Sequence, residues 1–305
     1  MSAGRFIKDR GLSFRMGTTL FLNGLIYVVL ILAIWAVLGR STSGVIIAVI
    51  VSAGVFFFQW YFSDSIAMRS IGAREVTPEQ APELHALVDR LCQLADTTKP
   101  RVAYSDSPVP NAFATGRSPE HSVVCVTRGL LNTLEPAEVE AVLAHELSHV
   151  AHRDVTVMTV AGVTGVVAGL MMRSALYVRF GGRDNNSAAA GALIQVAFLL
   201  VGAIVYALSF LLIRVLSRYR ELAADRAGAF LTGAPSTLAS ALVKISGEMG
   251  RVPEKDLRAE AGASHLALVP AVNGTSVRQL FSTHPSLEKR LAQLNDIAQQ
   301  LSRPM

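Results

Sequence analysis

Five consecutive residues, His145-Glu146-Leu147-Ser148-His149, hold the side chains best suited to chemistry in this chain. Two histidines four apart on a helix lie on one face, about one turn from each other, so both imidazoles can reach a single metal ion. The glutamate after the first histidine can then sit beside water on that metal. Zinc lowers the pKa of such water to about 7, and a carboxylate can take its proton. The result is a hydroxide aimed at a carbonyl, which is how a zinc-dependent hydrolase opens a peptide bond. The motif arises by accident on the order of once in a hundred chains of this length. Its surroundings therefore have to support it.

The spacing requires a helix, and the flanking sequence writes one. Pro136 suits a first helical position, and Glu138 and Glu140 suit the first turn. Val139, Val142, Leu143, Leu147 and Val150 recur at three-to-four spacing and form an apolar stripe. His145 and His149 fall beside that stripe, where a helix can present them to a cleft. A buried helix carrying two unliganded histidines would leave four ring nitrogens to satisfy.

The rest of the chain says where such a helix would work. Of 305 residues, 51% are hydrophobic and only 17% charged, and the mean hydropathy is +0.41. That balance points to a membrane. The net charge of +5 is small, and no basic run with interleaved aromatics suggests nucleic acid. Cys92 and Cys125 lack metal-ligand spacing and read as small buried hydrophobes, with no disulfide framework.

Residues 20–38 and 41–63 are uncharged save for Arg40 between them, and each is long enough to cross a hydrocarbon core as a helix. No small-residue cleavage site follows the first, so the pair reads as a transmembrane hairpin rather than a signal peptide. Arg5, Lys8, Arg10 and Arg15 precede it, and Arg69 and Arg74 follow it. Positive-inside logic puts both ends in the cytoplasm. Residues 155–172 and 185–213 are again apolar and read as a second pair of spans. The loop between them carries Arg173, Arg179 and Arg183 against Asp184. A full crossing and a tilted re-entrant pair both stay open.

Between and after these hairpins the chain is globular. Leu84, Leu87, Val88, Leu91 and Leu94 predict a helix within 78–95. Strand-like runs follow at 102–104, 111–115 and 122–126, separated by Pro108, Pro110, Gly116 and Pro119. Amphipathic helices are expected over 236–249 and 286–301, with a charged loop at 251–263. The organisation expected is 1–66, transmembrane hairpin; 67–154, first catalytic part with the metal helix; 155–213, second hydrophobic hairpin; 214–305, second catalytic part.

A catalytic zinc needs three protein ligands and an open position. A further histidine six residues past His149 is absent, because that position is Val155. His152 lies close but reads as a polar helix-end residue. Glu221 and Asp225 are four apart, so a helix would put them on one face. Glu221 could complete a His2Glu site, and Asp225 could accept the outer N–H of a ligand histidine. Equally, both could belong to an exposed acidic face offset by Arg218 and Arg220.

Four segments in this order resemble one family: Pro110-Asn111-Ala112-Phe113-Ala114-Thr115-Gly116, Ala144 through His149, Arg218 through Asp225, and Phe281-Ser282-Thr283-His284-Pro285. The chain resembles the HtpX family of integral-membrane zinc endopeptidases, gluzincins related to the CAAX prenyl endopeptidases, over nearly its whole length. The resemblance implies a mainly α membrane protein, with transmembrane helices plus a zincin-like catalytic domain holding a small antiparallel β-sheet. It implies one zinc ion per chain on His145, His149 and Glu221, with Glu146 as base and Asp225 behind a ligand.

The resemblance also gives a use for the run before the metal helix. In similar enzymes Asn111, Ala112, Phe113 and Ala114 would lie on an edge strand that binds a polypeptide substrate as an added strand, tolerant of sequence. Asn111 could bond substrate or serve as a polar turn residue after Pro110. His284 could stabilise an oxyanion or act in capping and packing. The implied role is quality control and stress response, by hydrolysis of misfolded or damaged proteins. The implied location is a bacterial inner membrane, with a cytoplasmic site, the bilayer as partner and other membrane proteases as candidate partners. A prenyl-protein processing peptidase and a non-enzymatic zinc-binding scaffold are the alternatives. An intact Glu146 disfavours the scaffold, which needs no base.

Overall fold

The computed structural model describes residues 10–37, 42–177, 185–249 and 285–302. His284, the turn at 38–41, the loop around Arg179 and the charged loop at 251–263 lie outside the described residues. The elements in order are α1 (Arg10–Val37), α2 (Thr42–Tyr61), α3 (Ser63–Ser70), β1 (Arg74–Glu75), α4 (Pro82–Ala95), β2 (Arg101–Ser105), β3 (Ala112–Ser118), β4 (His121–Thr127), α5 (Arg128–Thr133), α6 (Pro136–Ala151), α7 (Asp154–Tyr177), α8 (Asn185–Thr232), α9 (Pro235–Met249) and α10 (Leu287–Ser302). Two compact units emerge, Met1–Leu12 with Phe62–Thr156 and Ser217–Met305, and Ser13–Tyr61 with Val157–Leu216.

The second unit is helical. Leu30 of α1, Val167 and Ala168 of α7, and Phe198 and Val205 of α8 form its buried centre. Asn23 accepts a hydrogen bond from Thr164 at 2.8 Å inside it, a polar link of the kind that joins helices in lipid. Its outer faces carry exposed Phe21, Leu25, Leu193, Leu200 and Leu211. Such surface suits lipid and not water. Among the described residues two helices are long and apolar enough to cross a membrane, Arg10–Leu32 and Gly191–Thr232. The latter, 42 residues, would extend about 63 Å, twice the hydrocarbon thickness. Its charged part, from Arg214 on, is more helix than one crossing needs. The sequence suggested an apolar span followed by a separate globular segment; one uninterrupted helix supplies both.

In the other unit the strands form one sheet in the order β1-β2-β4-β3. β3 and β4 are antiparallel across a tight turn, as expected, but β2 runs parallel to β4, so the sheet is mixed rather than wholly antiparallel. The reason lies in the Pro108–Pro110 stretch. It reverses the chain before β3, and β4 returns between β2 and β3. At the β3 bulge Gly116 has φ +149°, and a Cβ there would lie 2.2 Å from the His121 carbonyl oxygen. Only glycine fits.

The sheet buries both faces. Phe113, Val123, Cys125 and Ala103 pack with Ala67 of α3 and Ile71 just after it on one side. Ala112, Ala114, Val124 and Val126 pack with Val88, Leu91, Val142 and Leu147 on the other. This alternation follows from the two-residue repeat of a strand. α6 crosses that second face. It begins at Pro136 with a capping box: the Glu135 side chain accepts from the Glu138 backbone, and Glu138 accepts the Glu135 N–H at 2.9 Å. Glu138 also accepts from Ser240 at 2.7 Å and Lys244 at 2.8 Å, which fastens α9 to the start of α6.

Candidate active site

α6 is buried on nearly every side, so His145, Glu146 and His149 are 1%, 4% and 6% exposed. The apolar stripe fixes the helix against the sheet and α9, and the two rings then project together, with centroids 5.0 Å apart and planes perpendicular. Glu221 reaches them from α8. Its Oε2 lies 3.7 Å from His145 Nε2, and its Oε1 lies 3.6 Å from His149 Nε2. The ligand atoms of these three side chains all lie within 4.8 Å of one another, close enough for one metal ion to bridge them. Both His145 ring nitrogens are buried without a hydrogen bond among the described residues, but Nδ1 has Asp225 at 3.0 Å whereas Nε2 has only Glu221, at 3.7 Å. A ring nitrogen left in that state fits a metal ligand.

α8 comes near α6 because residue 228 is glycine. A Cβ there would sit 2.9 Å from the His145 backbone nitrogen and 3.2 Å from its Cα. Two turns earlier on α8, Glu221 gains its reach from this close crossing.

Behind each histidine stands a carboxylate. Asp225 Oδ1 lies 3.0 Å from His145 Nδ1, and Asp154 Oδ2 lies 2.7 Å from His149 Nδ1. Each carboxylate meets a guanidinium. Arg290 of α10 donates twice to Asp225, at 2.7 and 2.6 Å, and Arg220 donates to Asp154 at 2.9 Å. Burial works against a protonated His145, but the Asp225 and Glu221 carboxylates outweigh it and hold its pKa up at about 9. At His149 burial wins over Asp154, Arg220 adds to it, and the pKa falls below the ordinary value. Burial pushes the Glu146 carboxyl up to about 7, with His145 pulling down and Glu221 pushing up.

Glu146 faces the sheet edge. Its Oε2 accepts the backbone N–H of Ala114 at 3.0 Å. Asn111 and Thr127 are bonded across the strands, the Thr127 N–H donating to the Asn111 carbonyl at 3.0 Å. Alternation along an antiparallel pair then turns Phe113 and Thr115 toward β4, and Ala112 and Ala114 toward the free edge. Phe113 gives its side chain to the core at 1% exposure. Asn111 is buried at 4%. His152 is the C-cap residue of α6, its N–H donating to the Ser148 carbonyl at 2.9 Å, and it stands outside the three-residue cluster.

Residues 78–298 match the model of peptidase family M48. The chain is 54% identical over 300 residues to the protease HtpX homolog 1 of Streptomyces coelicolor, covering 97% of this chain and 96% of that one. The chain belongs to peptidase family M48, among its HtpX proteases. It is likewise 49% identical to the protease HtpX homolog of Moorella thermoacetica, covering 96% of each chain. The fold is similar to the crystal structure of S. mikatae Ste24p, at a TM-score of 0.50 and 17% identity, covering 96% of this chain and 68% of that one. As an M48 peptidase the protein is a membrane metallopeptidase, a hydrolase of peptide bonds.

Three residues of this M48 site were not legible as parts of it. In sequence Arg220 reads as an offset to acidic neighbours, and nothing singles out Asp154 or Arg290. Asp154 lies just five residues past His149, and Arg220 directly precedes Glu221, so proximity in sequence was the available signal for both. Arg290 is 2% exposed although it sits in a largely polar helix, and no local pattern announces that.

Proposed function

We propose that the chain is a zinc endopeptidase that degrades misfolded or damaged proteins at the membrane, with its site on the cytoplasmic side. His145, His149 and Glu221 would hold the ion. The observation that carries the reading is that these three converge while Glu146, one residue from a ligand, is tied to the free edge of β3. A bound zinc would supply Lewis acidity, acidifying water and polarising the scissile carbonyl. Glu146 accepts the proton of the attacking water and delivers it to the leaving nitrogen. The hydrogen bond from Ala114 fixes the orientation of its carboxylate for both transfers. Asp225 orients His145, and Arg290 neutralises Asp225.

A substrate laid along β3 as an added strand would be held through the outward backbone groups of Ala112 and the carbonyl of Ala114, whose N–H is taken by Glu146. Main-chain bonding reads little sequence, which suits a protease that meets many damaged chains. Burial of Glu146 keeps the base in a low-dielectric setting where its proton transfers are strongly coupled to neighbouring charge. Four basic residues before the first span support a cytoplasmic site.

The test is hydrolysis of casein by the purified full chain in detergent, before and after chelation, with zinc added back. Activity lost on chelation and restored by zinc is expected. Chelator-insensitive hydrolysis overturns the reading. Equal rates on a prenylated peptide and its unmodified form are also expected, because nothing in the proposed strand pairing uses a lipid.

A further inference from the structure

His149 makes a second contact that the proton transfers above leave unused. α6 ends at Ala151, and the next two residues turn the chain sharply. Arg153 adopts φ +57°, a left-handed conformation that a non-glycine residue avoids at a cost of about 1 kcal/mol. That turn folds Asp154 back beneath the helix it follows, with its Oδ2 2.7 Å from His149 Nδ1. Asp154 is fully buried. Arg220 closes the group, donating from Nε to the same Oδ2 at 2.9 Å while a terminal nitrogen stands 3.4 Å from His149 Nδ1.

A guanidinium has no acceptor to offer, and the carboxylate is the shorter contact, so Nδ1 must carry the hydrogen and donate it to Asp154. The tautomer is thereby fixed with Nε2 free on the side facing Glu221. A similar pair stands at the other histidine, where Asp225, held by Arg290, lies 3.0 Å from His145 Nδ1 without the hydrogen bond that Asp154 makes. The sequences that build the two pairs share nothing. One is assembled from a turn after α6 and from α8, the other from α8 and α10. Two carboxylate–guanidinium pairs, reached by different routes, meet the same nitrogen of each ring.

We infer that Asp154, held in place by Arg220, is the positioning residue of His149 and sets the strength of the metal site from its far side. The inference rests on reading His145, His149 and Glu221 as the zinc ligands. The competing role for Asp154 is local: an acidic first residue favours the N-terminus of α7.

Asp154→Ser separates these roles, because serine keeps a good helix start and removes the carboxylate from His149. Zinc affinity of the full chain in detergent is measured by chelator competition, and the cobalt-loaded protein is followed by its visible spectrum. Asp154→Ser is expected to weaken zinc about 10- to 100-fold and to shift the cobalt bands, while the metal-free protein keeps its circular dichroism. Arg220→Gln, which leaves the carboxylate on His149, is expected to weaken zinc by less than about tenfold and serves where Asp154→Ser fails to fold. If the wild-type chain takes up zinc and both variants match its affinity and cobalt spectrum, the assignment of Asp154 falls alone. If the wild-type chain takes up no zinc, the ligand set falls and this inference with it.

Discussion

The carboxylate of Glu146 and the backbone N–H of Ala114 meet at 3.0 Å, so the metal helix is tied by its reactive residue to the free edge of the sheet. The contact asks nothing of the metal, and Glu146 is not among the three converging ligands. Glu146→Gln should therefore keep zinc and lose proteolysis by about 10²- to 10⁴-fold, the usual share of a general base. Metal analysis and a casein assay on one preparation decide it. Substantial turnover in the variant would remove Glu146 from the mechanism.

Glu221 and Asp225 sit one helical turn apart and should fail differently. Glu221→Ala would remove one of the three proposed ligands, and both zinc content and activity should drop. Asp225→Asn leaves the ligands in place but strips His145 of its carboxylate, at about 10- to 100-fold in affinity or activity. It also leaves the buried Arg290 with Glu221, 4.0 Å away, in place of its closer carboxylate partner, and removing one partner of a buried pair destabilises by about 3–5 kcal/mol. Thermal unfolding of the metal-free proteins should thus rank Asp225→Asn below Glu221→Ala.

Gly228 is where α8 touches α6, and a methyl group there would press on the His145 backbone. Backbone cannot rotate aside as a side chain can, so Gly228→Ala should push the helices apart and destabilise by about 1–3 kcal/mol. Because Glu221 rides on the same helix, zinc affinity should fall as well. Gly247→Ala, where nothing stands within 4 Å, is the control. Unchanged zinc affinity in Gly228→Ala would show that the crossing does not set the ligand geometry.

The metal helix was legible because its signals are local: Pro136 at its start, acidic residues in its first turn, and an apolar stripe whose period needs no partner to read. The strands at 112–118 and 121–127 were legible for the same reason, being joined by a short turn. The parallel pairing of β2 with β4 was not, since strand order is decided by packing between segments far apart in sequence. Glu221 could be paired with the histidines through a resemblance but not by spacing, because 72 residues, 149 to 221, separate it from the second histidine. Arg290 was hidden for a physical reason. A buried arginine is betrayed by its partner, and Asp225 lies on another helix.

Acid should loosen the start of α6. Burial acts to raise the Glu138 carboxyl, but hydrogen bonds from Lys244, the Glu135 backbone and Ser240 outweigh it and hold it below its ordinary 4.5. The folded pKa is lower than the unfolded one, so this stabilisation is complete above about pH 4.5 and is lost as the pH falls through the folded value. Glu138→Ala should lower stability by about 1–2 kcal/mol at neutral pH through loss of the capping box. It should also flatten the dependence of the unfolding midpoint on pH between about 5 and 3. An acid limb as steep as the wild type's would assign the acid sensitivity to other carboxylates.

Orientation in the membrane can be read with thiols, and the structure says where to put them. Ser105 looks attractive in sequence but is 2% exposed, with its hydroxyl donating to the Ile71 carbonyl at 2.6 Å, so a cysteine there would be silent for a trivial reason. Glu120, exposed in the turn between β3 and β4, reports on the catalytic unit instead. Ser41, between the two N-terminal helices in sequence, would report on the opposite side in the proposed topology. The native cysteines give little background: Cys92 and Cys125 are both buried. Burial, with some help from Asp89 and against Lys99, pushes the Cys92 thiol up to about 11, and the thiolate is the reactive form. Positive-inside logic applied to the four basic residues before the first span expects that end inside. An impermeant maleimide on intact cells should therefore label Ser41→Cys and spare Glu120→Cys, and permeabilised cells should label both. Labelling of Glu120→Cys in intact cells would put the active site outside and reverse the proposed topology.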